Sequence, residues 1–297
     1  MPLKINVWDL PAPLLEFGVN GEATDPKIGL GQHGPFSLRF GAAHIKRVRL
    51  GLVGPEHMLA QARQWFERCQ SQMLSGHKSQ ILYPDFPGFQ QTFHSSLALS
   101  KRWQVDLDTQ LDADGLNLEQ ALALPPLERF RNVLDIYGRG IERLANSELR
   151  PDVTVCCLSP QVVEACWSVS NTKLTGKERA LLERQQKSEA QNQGTLFDEW
   201  DVDETVEDLL FRDFRRALKA RAMSYRMPIQ LGTTSLFVDD DANQDAATRA
   251  WNVGVALFYK AGGIPWRLKT DGPETCFVGV SFHHLKTRQS HKVYSSL

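Results

Sequence analysis

Four residues of this chain have the types and spacing needed to capture a phosphate group. Lys260 ends an apolar helical run, Trp251–Tyr259, and opens the segment KAGGIPW (260–266). Upstream, RRALK places Arg215 and Lys219 four residues apart, which puts both cations on one face of a helix. Gln230 follows in PIQ (228–230), the start of a short apolar strand that would turn back beside that helix. Cations with an amide donor suit a phosphate oxygen or a base edge, because hydrogen bonds to charged groups are the strong ones. Gly262 and Gly263 are expected to let backbone approach the same ligand. Downstream, the strand-like CFVGVSF (276–282) carries no carboxylate. Together these residues imply a pocket for a terminal phosphate that is held without being cut.

Each part also has an ordinary reading. The cations Arg212, Arg215, Arg216 and Lys219 recur at steps of three and four opposite an apolar stripe of Leu210, Phe211, Phe214 and Leu218, as on any solvated amphipathic helix. Lys260 and Gly262 would equally serve as a helix C-cap, with Lys favoured by the macrodipole and Gly262 in a left-handed turn. That leaves Pro265-Trp266 and the distant Arg215, Lys219 and Gln230 unexplained.

The elements that would position these residues follow a strand–helix alternation. IKRVRLGLVG (45–54) reads as a strand, and Pro55 opens an amphipathic helix over 56–73 with Trp65 and Phe66 on its apolar side. A loop spans YPDFPGF (83–89), and 118–144 is helical with a break at Pro125-Pro126. DVTVCCLS (152–159) is an apolar run of the kind buried in a parallel sheet, followed by a helix over 160–167. Helix 209–223, strand 228–231, helix 242–259 and strands at 266–268 and 276–282 complete a doubly wound α/β pattern. The polar, then acidic, stretch of about 170–205 reads as a surface insertion. Leu14–Gly18 and Phe36–Phe40 are strand-like pieces in a Gly- and Pro-rich opening.

Bulk properties agree. The 297 residues, 42% hydrophobic and 23% charged, suit a soluble globular chain able to bury a large core. A net charge of −1 argues against a uniformly basic surface and allows a local basic channel. Five cysteines without a CxxC pair suggest free thiols, and the N-terminus has no signal-like run, so a cytoplasmic protein with no membrane partner is expected. Two motifs are set aside. GLGQHG (29–34) spells a dinucleotide pattern but lacks the preceding strand and following helix, and reads as a glycine-rich turn. Asp106, Asp108, Asp112, Asp114 and Gly115 hint at a calcium loop, yet the register puts Ala121 where a bidentate Glu belongs, and a solvated loop is expected.

RRALK (215–219), PIQ (228–230), WNVGVALFYKAGGIPW (251–266) and CFVGVSF (276–282) together resemble the MID–PIWI region of prokaryotic Argonautes, most nearly the short Argonautes without N and PAZ domains. The resemblance covers about Ile45 to the end, and LEFG and GPFSL resemble the short N-terminal extension of that family. It implies an N-terminal extension at 1–44, a Rossmann-like MID domain with a parallel sheet at 45–263, and the first strands of an RNase H-like PIWI domain at 264–297. PIWI is then incomplete at Leu297, as in a fragment, a disrupted gene or half of a split protein. It implies that Arg215, Lys219, Gln230 and Lys260 hold the 5′-phosphate of a guide, with Mg2+ sharing the pocket in the complete protein. Ser281 falls at the position of the first catalytic Asp, so two-metal hydrolysis is not expected. The implied partners are a guide strand (RNA in most short Argonautes), complementary target DNA, and a separate APAZ-bearing effector of SIR2, TIR or nuclease type. The competing readings are an active guide-directed endonuclease and an α/β interaction module that binds no guide.

Overall fold

A computed structural model describes residues 12–167, 214–240 and 244–270, together with the strands 281–286 and 291–296. In chain order the elements are β1 (Leu15–Glu16), β2 (Glu22–Ala23), α1 (Pro26–His33), a 3-10 helix (Phe36–Ala43), β3 (Arg47–Gly54), α2 (Glu56–Arg68), α3 (Phe89–Phe93), β4 (Ser96–Asp106), α4 (Leu118–Ala123), α5 (Pro126–Ala145), β5 (Val153–Cys157) and α6 (Pro160–Cys166). After the segment outside the described residues come α7 (Phe214–Ser224), β6 (Ile229–Gly232), α8 (Thr234–Phe237), α9 (Ala246–Lys260), β7 (Arg267–Leu268), β8 (Ser281–Lys286) and β9 (His291–Ser296).

The centre is an all-parallel sheet in the order β4-β3-β5-β6. Its apolar residues alternate between two cores, as they must when helices cover both faces. Val48, Leu50, Leu52, Val153, Val155 and Cys157 join one core, with Trp65 and Phe66 of α2 and Trp251, Leu257 and Phe258 of α9. Val53, Cys156 and Ile229 join the other, with Phe130, Ile136, Tyr137 and Ile141 of α5, Val162 of α6, and Phe214 and Leu218 of α7. The expected α/β architecture with a Rossmann-like parallel sheet is therefore present, and the helix break at Pro125-Pro126 falls between α4 and α5. Among the described residues no helix is long and apolar enough to cross a membrane.

A small antiparallel sheet, β2-β1-β7, ties the opening of the chain to the segment after α9. Glu16 on β1 accepts from Arg39 and from Arg267, and those two guanidiniums lie over the Phe36 ring at 4.8 and 4.7 Å. Phe36 and Ser37 donate backbone N–H groups to Pro265 and Ile264. Phe17 and Leu30 enter the same core as α2 and α9, so residues 12–44 pack as part of the α/β body.

Several local expectations change. Phe36–Phe40 is not a strand but part of the 3-10 helix, because the Phe36 and Ser37 amides are taken by the chain after α9 and the Leu38 amide by Pro35 O, rather than by a sheet neighbour. The glycine-rich turn at 29–34 is instead most of α1. Asp25 caps that helix through the amides of Lys27 and Ile28, and Pro26 occupies the first turn, a start signal strong enough to outweigh the glycines. Gly29 is needed for packing: a Cβ there would lie 2.2 Å from the Phe17 ring. The aspartate loop is not wholly solvated, since Asp112 is buried and accepts from the amides of Asp114 and Leu116. Near the end of the chain β8 and β9 form an antiparallel pair of their own, in register from Ser281↔Ser296 to Lys286↔His291. The helix expected over 56–73 ends at Arg68, and the one expected from 242 begins at Ala246 under an Asp245 cap. The insertion of about 170–205, together with Arg212 and Cys276, lies outside the described residues.

Phe258 anchors the helix that carries Lys260, fully buried and stacked on Phe93 with ring centroids 4.9 Å apart. Phe258→Ala is expected to lower unfolding free energy by ~3–5 kcal/mol, measured by denaturant titration at constant m.

Candidate phosphate-binding site

The four residues singled out from the sequence come from three elements that meet at the β6 edge of the sheet. Helix α7 buries Phe214, Ala217, Leu218 and Ala222, and this fixes which way its polar side faces. Arg215 is exposed and Lys219 half-buried, one turn apart. Strand β6 turns Ile229 into the core beneath α7, so Gln230, the next residue on a two-residue period, faces the side covered by α9. Helix α9 ends at Lys260, whose Nζ donates a hydrogen bond to Gln230 Oε1. Burial pushes the Lys260 ammonium down to about 8, and repulsion from Lys219 and then Arg215 adds to the shift, while the Cys156 thiol opposes it weakly. That Coulombic coupling brings Arg215 and Lys219 into the same neighbourhood as the Lys260–Gln230 pair.

Two details differ from the expected pocket. The glycines do not offer free amides to a ligand. Gly262 N–H donates to Tyr259 O and Gly263 N–H to Phe258 O, at 2.9 Å each, and Gly262 has φ +95. This is a Schellman-type C-cap, so the capping explanation accounts for the glycines. Gly263 is further required by close packing, since a Cβ would come within 2.4 Å of the Phe258 ring. Gln230 is also partly engaged. Its Nε2 donates to Leu231 O while Oε1 holds Lys260, so the amide positions the lysine and has one N–H left to give a ligand.

Not every cation of α7 belongs to the cluster. Arg221 reaches α5 instead, where Asp135 accepts from it at 2.9 Å and from Arg139 at 2.8 Å. Cys156 is the residue that sequence reasoning missed. It is fully buried on β5, and its thiol is pushed upward by desolvation, with Lys260 opposing. Its place beside Lys260 depends on strand pairing, Cys156↔Leu231, which no local motif encodes. The sheet's topological switch point, outside the ends of β3 and β5, is the usual ligand crevice of such folds. Here the Asp108 carboxylate accepts from the Glu56 amide at the start of α2, so the chain's own side chain takes the anion position.

Chemically the β6-edge cluster can bind an anion. Its donor set is two lysines, an arginine and an amide, which does not suit a divalent cation. Among the described residues no group of three His, Cys, Asp or Glu side chains could hold a metal. No protein-family model matches the chain, and no curated protein sequence aligns significantly with it.

The lowered Lys260 pKa sets a pH window with a definite sign. Protonation is disfavoured in the folded chain, so folding carries the cost of the charged ammonium below about pH 8, and that cost is relieved as pH rises toward the ordinary lysine value. Anion affinity runs the other way. Binding of inorganic phosphate, followed by calorimetry, is expected to weaken as pH rises through about 8. Lys260→Met should bind more weakly at pH 7 and lose most of this dependence.

Proposed function

We propose that this chain is the guide-binding subunit of a short prokaryotic Argonaute system, with its MID domain holding the 5′-phosphate of a guide strand. The observation that carries the reading is the convergence of Arg215, Lys219 and Lys260 around Gln230, from three separate elements. A half-buried lysine repelled by two other cations gains most from a ligand of high negative charge, and a terminal phosphate is denser in charge than a backbone diester.

In this reading the guide is RNA, and invading complementary DNA is recognised by base pairing, with protein contacts mainly to the backbones. Ser281, the first residue of β8, stands where cutting relatives carry an aspartate, so the chain binds its target without cleaving it. Activity then belongs to a separate APAZ-bearing effector of SIR2, TIR or nuclease type. No step of the reading runs through Mg2+, because the cluster supplies cations and an amide rather than carboxylates.

The discriminating measurement is guide affinity at fixed salt, with and without the 5′-phosphate. A 5′-phosphorylated guide is expected to bind at least about tenfold more tightly than its 5′-hydroxyl counterpart. Arg215→Ala and Lys219→Ala should each cost ~1.5–3 kcal/mol, the usual scale for a hydrogen bond to a charged group. Equal affinity for the two guides, unchanged by either substitution, would reduce the chain to an α/β interaction module. Guide-loaded protein should leave a matched target intact in Mg2+ or Mn2+, and a clean single cut would instead make it a nuclease.

A further inference from the structure

We propose that the cleft between α1 and α9 binds a planar nitrogen heterocycle of the nucleobase class. The cleft has a volume of about 310 Å3. Its apolar lining is Trp266, Val255 and Pro26 over the buried Trp251 and Leu30, and its polar lining is Lys27, Asn252 and Asp25, whose carboxylate caps α1. This is at the small end of ligand sites, with room for one base and its sugar rather than for a helix or strand of a partner.

The side chains favour an aromatic occupant with a hydrogen-bonding edge. Trp251 is nearly fully buried and held by its own Nε1–H, which donates to Pro84 O and Asp85 O at 3.2 and 3.1 Å, so it closes the floor of the cleft and offers no donor. Trp266 is only partly buried and is the aromatic side chain of the lining that a ligand can reach. Asn252 is exposed, and its amide makes no hydrogen bond to any described residue. An amide sets a donor and an acceptor side by side, the pattern that pairs with an adenine edge, while the Lys27 ammonium suits the acceptors of guanine or a pyrimidine carbonyl. Flat apolar walls with a few edge-reading polar groups are how proteins hold an unstacked base.

One chemistry here has two sources: a free nucleoside or nucleotide, or a base within a strand. Helix α9 carries both the cleft and the cation cluster, and at 1.5 Å per residue Val255 and Asn252 lie about 8–12 Å along the axis from Lys260. A strand held at Lys260 would therefore bring one of its first bases within reach. The inference does not rest on guide binding, since a nucleoside without phosphate probes the cleft alone.

The experiment is a ligand-observed NMR titration of the full chain with adenosine, guanosine, cytidine and uridine. Saturable binding of at least one is expected, weakened about tenfold or more by Trp266→Ala, on the scale of a lost base–aromatic stack. Val255→Trp, which fills the cleft from a half-buried position, should abolish binding, and thermal melts confirm that either variant is folded. Intermolecular contacts between base and indole protons in the unsubstituted protein provide the readout if a variant fails to fold. Displacement of the nucleoside by an oligonucleotide bearing a 5′-hydroxyl assigns the occupant to a base within a strand. Failure of that oligonucleotide to displace it assigns the occupant to a free nucleoside or nucleotide. No saturable binding of any nucleoside, or equal competition by cyclohexanol, would overturn the proposal.

Discussion

The fold has to hold three mutually repelling cations together, and the packing around the β6 edge follows from that constraint. Lys219 and Arg215 both oppose the charge on Lys260, whose Nζ donates to Gln230. The compensation comes from the opposite sides of the same helices. Phe214 locks α7 onto α5 through edge-to-face contacts with Phe130 and Tyr137, at 5.8 and 5.9 Å. Trp251, Leu257 and Phe258 bury α9 against the other face of the sheet. Each such side chain contributes ~1.5–3 kcal/mol on burial.

Strand β6 lies between these two anchors, and its position at the sheet edge makes the cluster accessible. A central strand would have neighbours on both sides and its polar residues would be closed off. Among the described residues β6 pairs only with β5, and Gln230 can be reached from α7 and α9 together. The buried Arg249 side chain of α9 donates to the carbonyls of Ser235, Leu236 and Val238 and to Asp239, which also pairs with Arg68 of α2. Residues 235–239 are thus clamped to α9, the helix that ends in Lys260.

Much of this was legible in the residues themselves. Strands β3 and β5 announce themselves by apolar alternation or by continuous burial, as in VTVCC, and the long helices by their stripes, because those periods report directly on which faces are covered. Strand β4 does not, since its exposed Lys101 and Arg102 interrupt the apolar pattern at an edge of the sheet. The convergence of Arg215, Lys219, Gln230 and Lys260 was suggested by helical spacing and a helix end, both local signals. Failures occurred where a distant partner decides. Phe36–Phe40 has strand-like composition, but its first two amides, of Phe36 and Ser37, go to Pro265 and Ile264. Gly29 looks like a turn residue and is in fact a contact surface for Phe17. Gly262 and Gly263 suggested an open approach for a ligand, whereas their amides end the helix. In each case glycine or backbone chemistry was ambiguous until the neighbour was known.

The pairing of Leu15 with Leu268 joins positions roughly 250 residues apart. Loop closure over such a span costs only slightly more than over half of it, about 0.6 kcal/mol per doubling, so the finished fold bears little penalty for it. Time is a different matter. At about 5–20 residues per second, a ribosome needs roughly ten to fifty seconds to deliver β7 after β1 has emerged. Through that interval Phe17 and Leu30 await α9 and cannot be buried in their native place. A segment made well before α9 is therefore among the last to be secured, and for that period the growing chain carries exposed aromatic and aliphatic surface that a chaperone would have to shield.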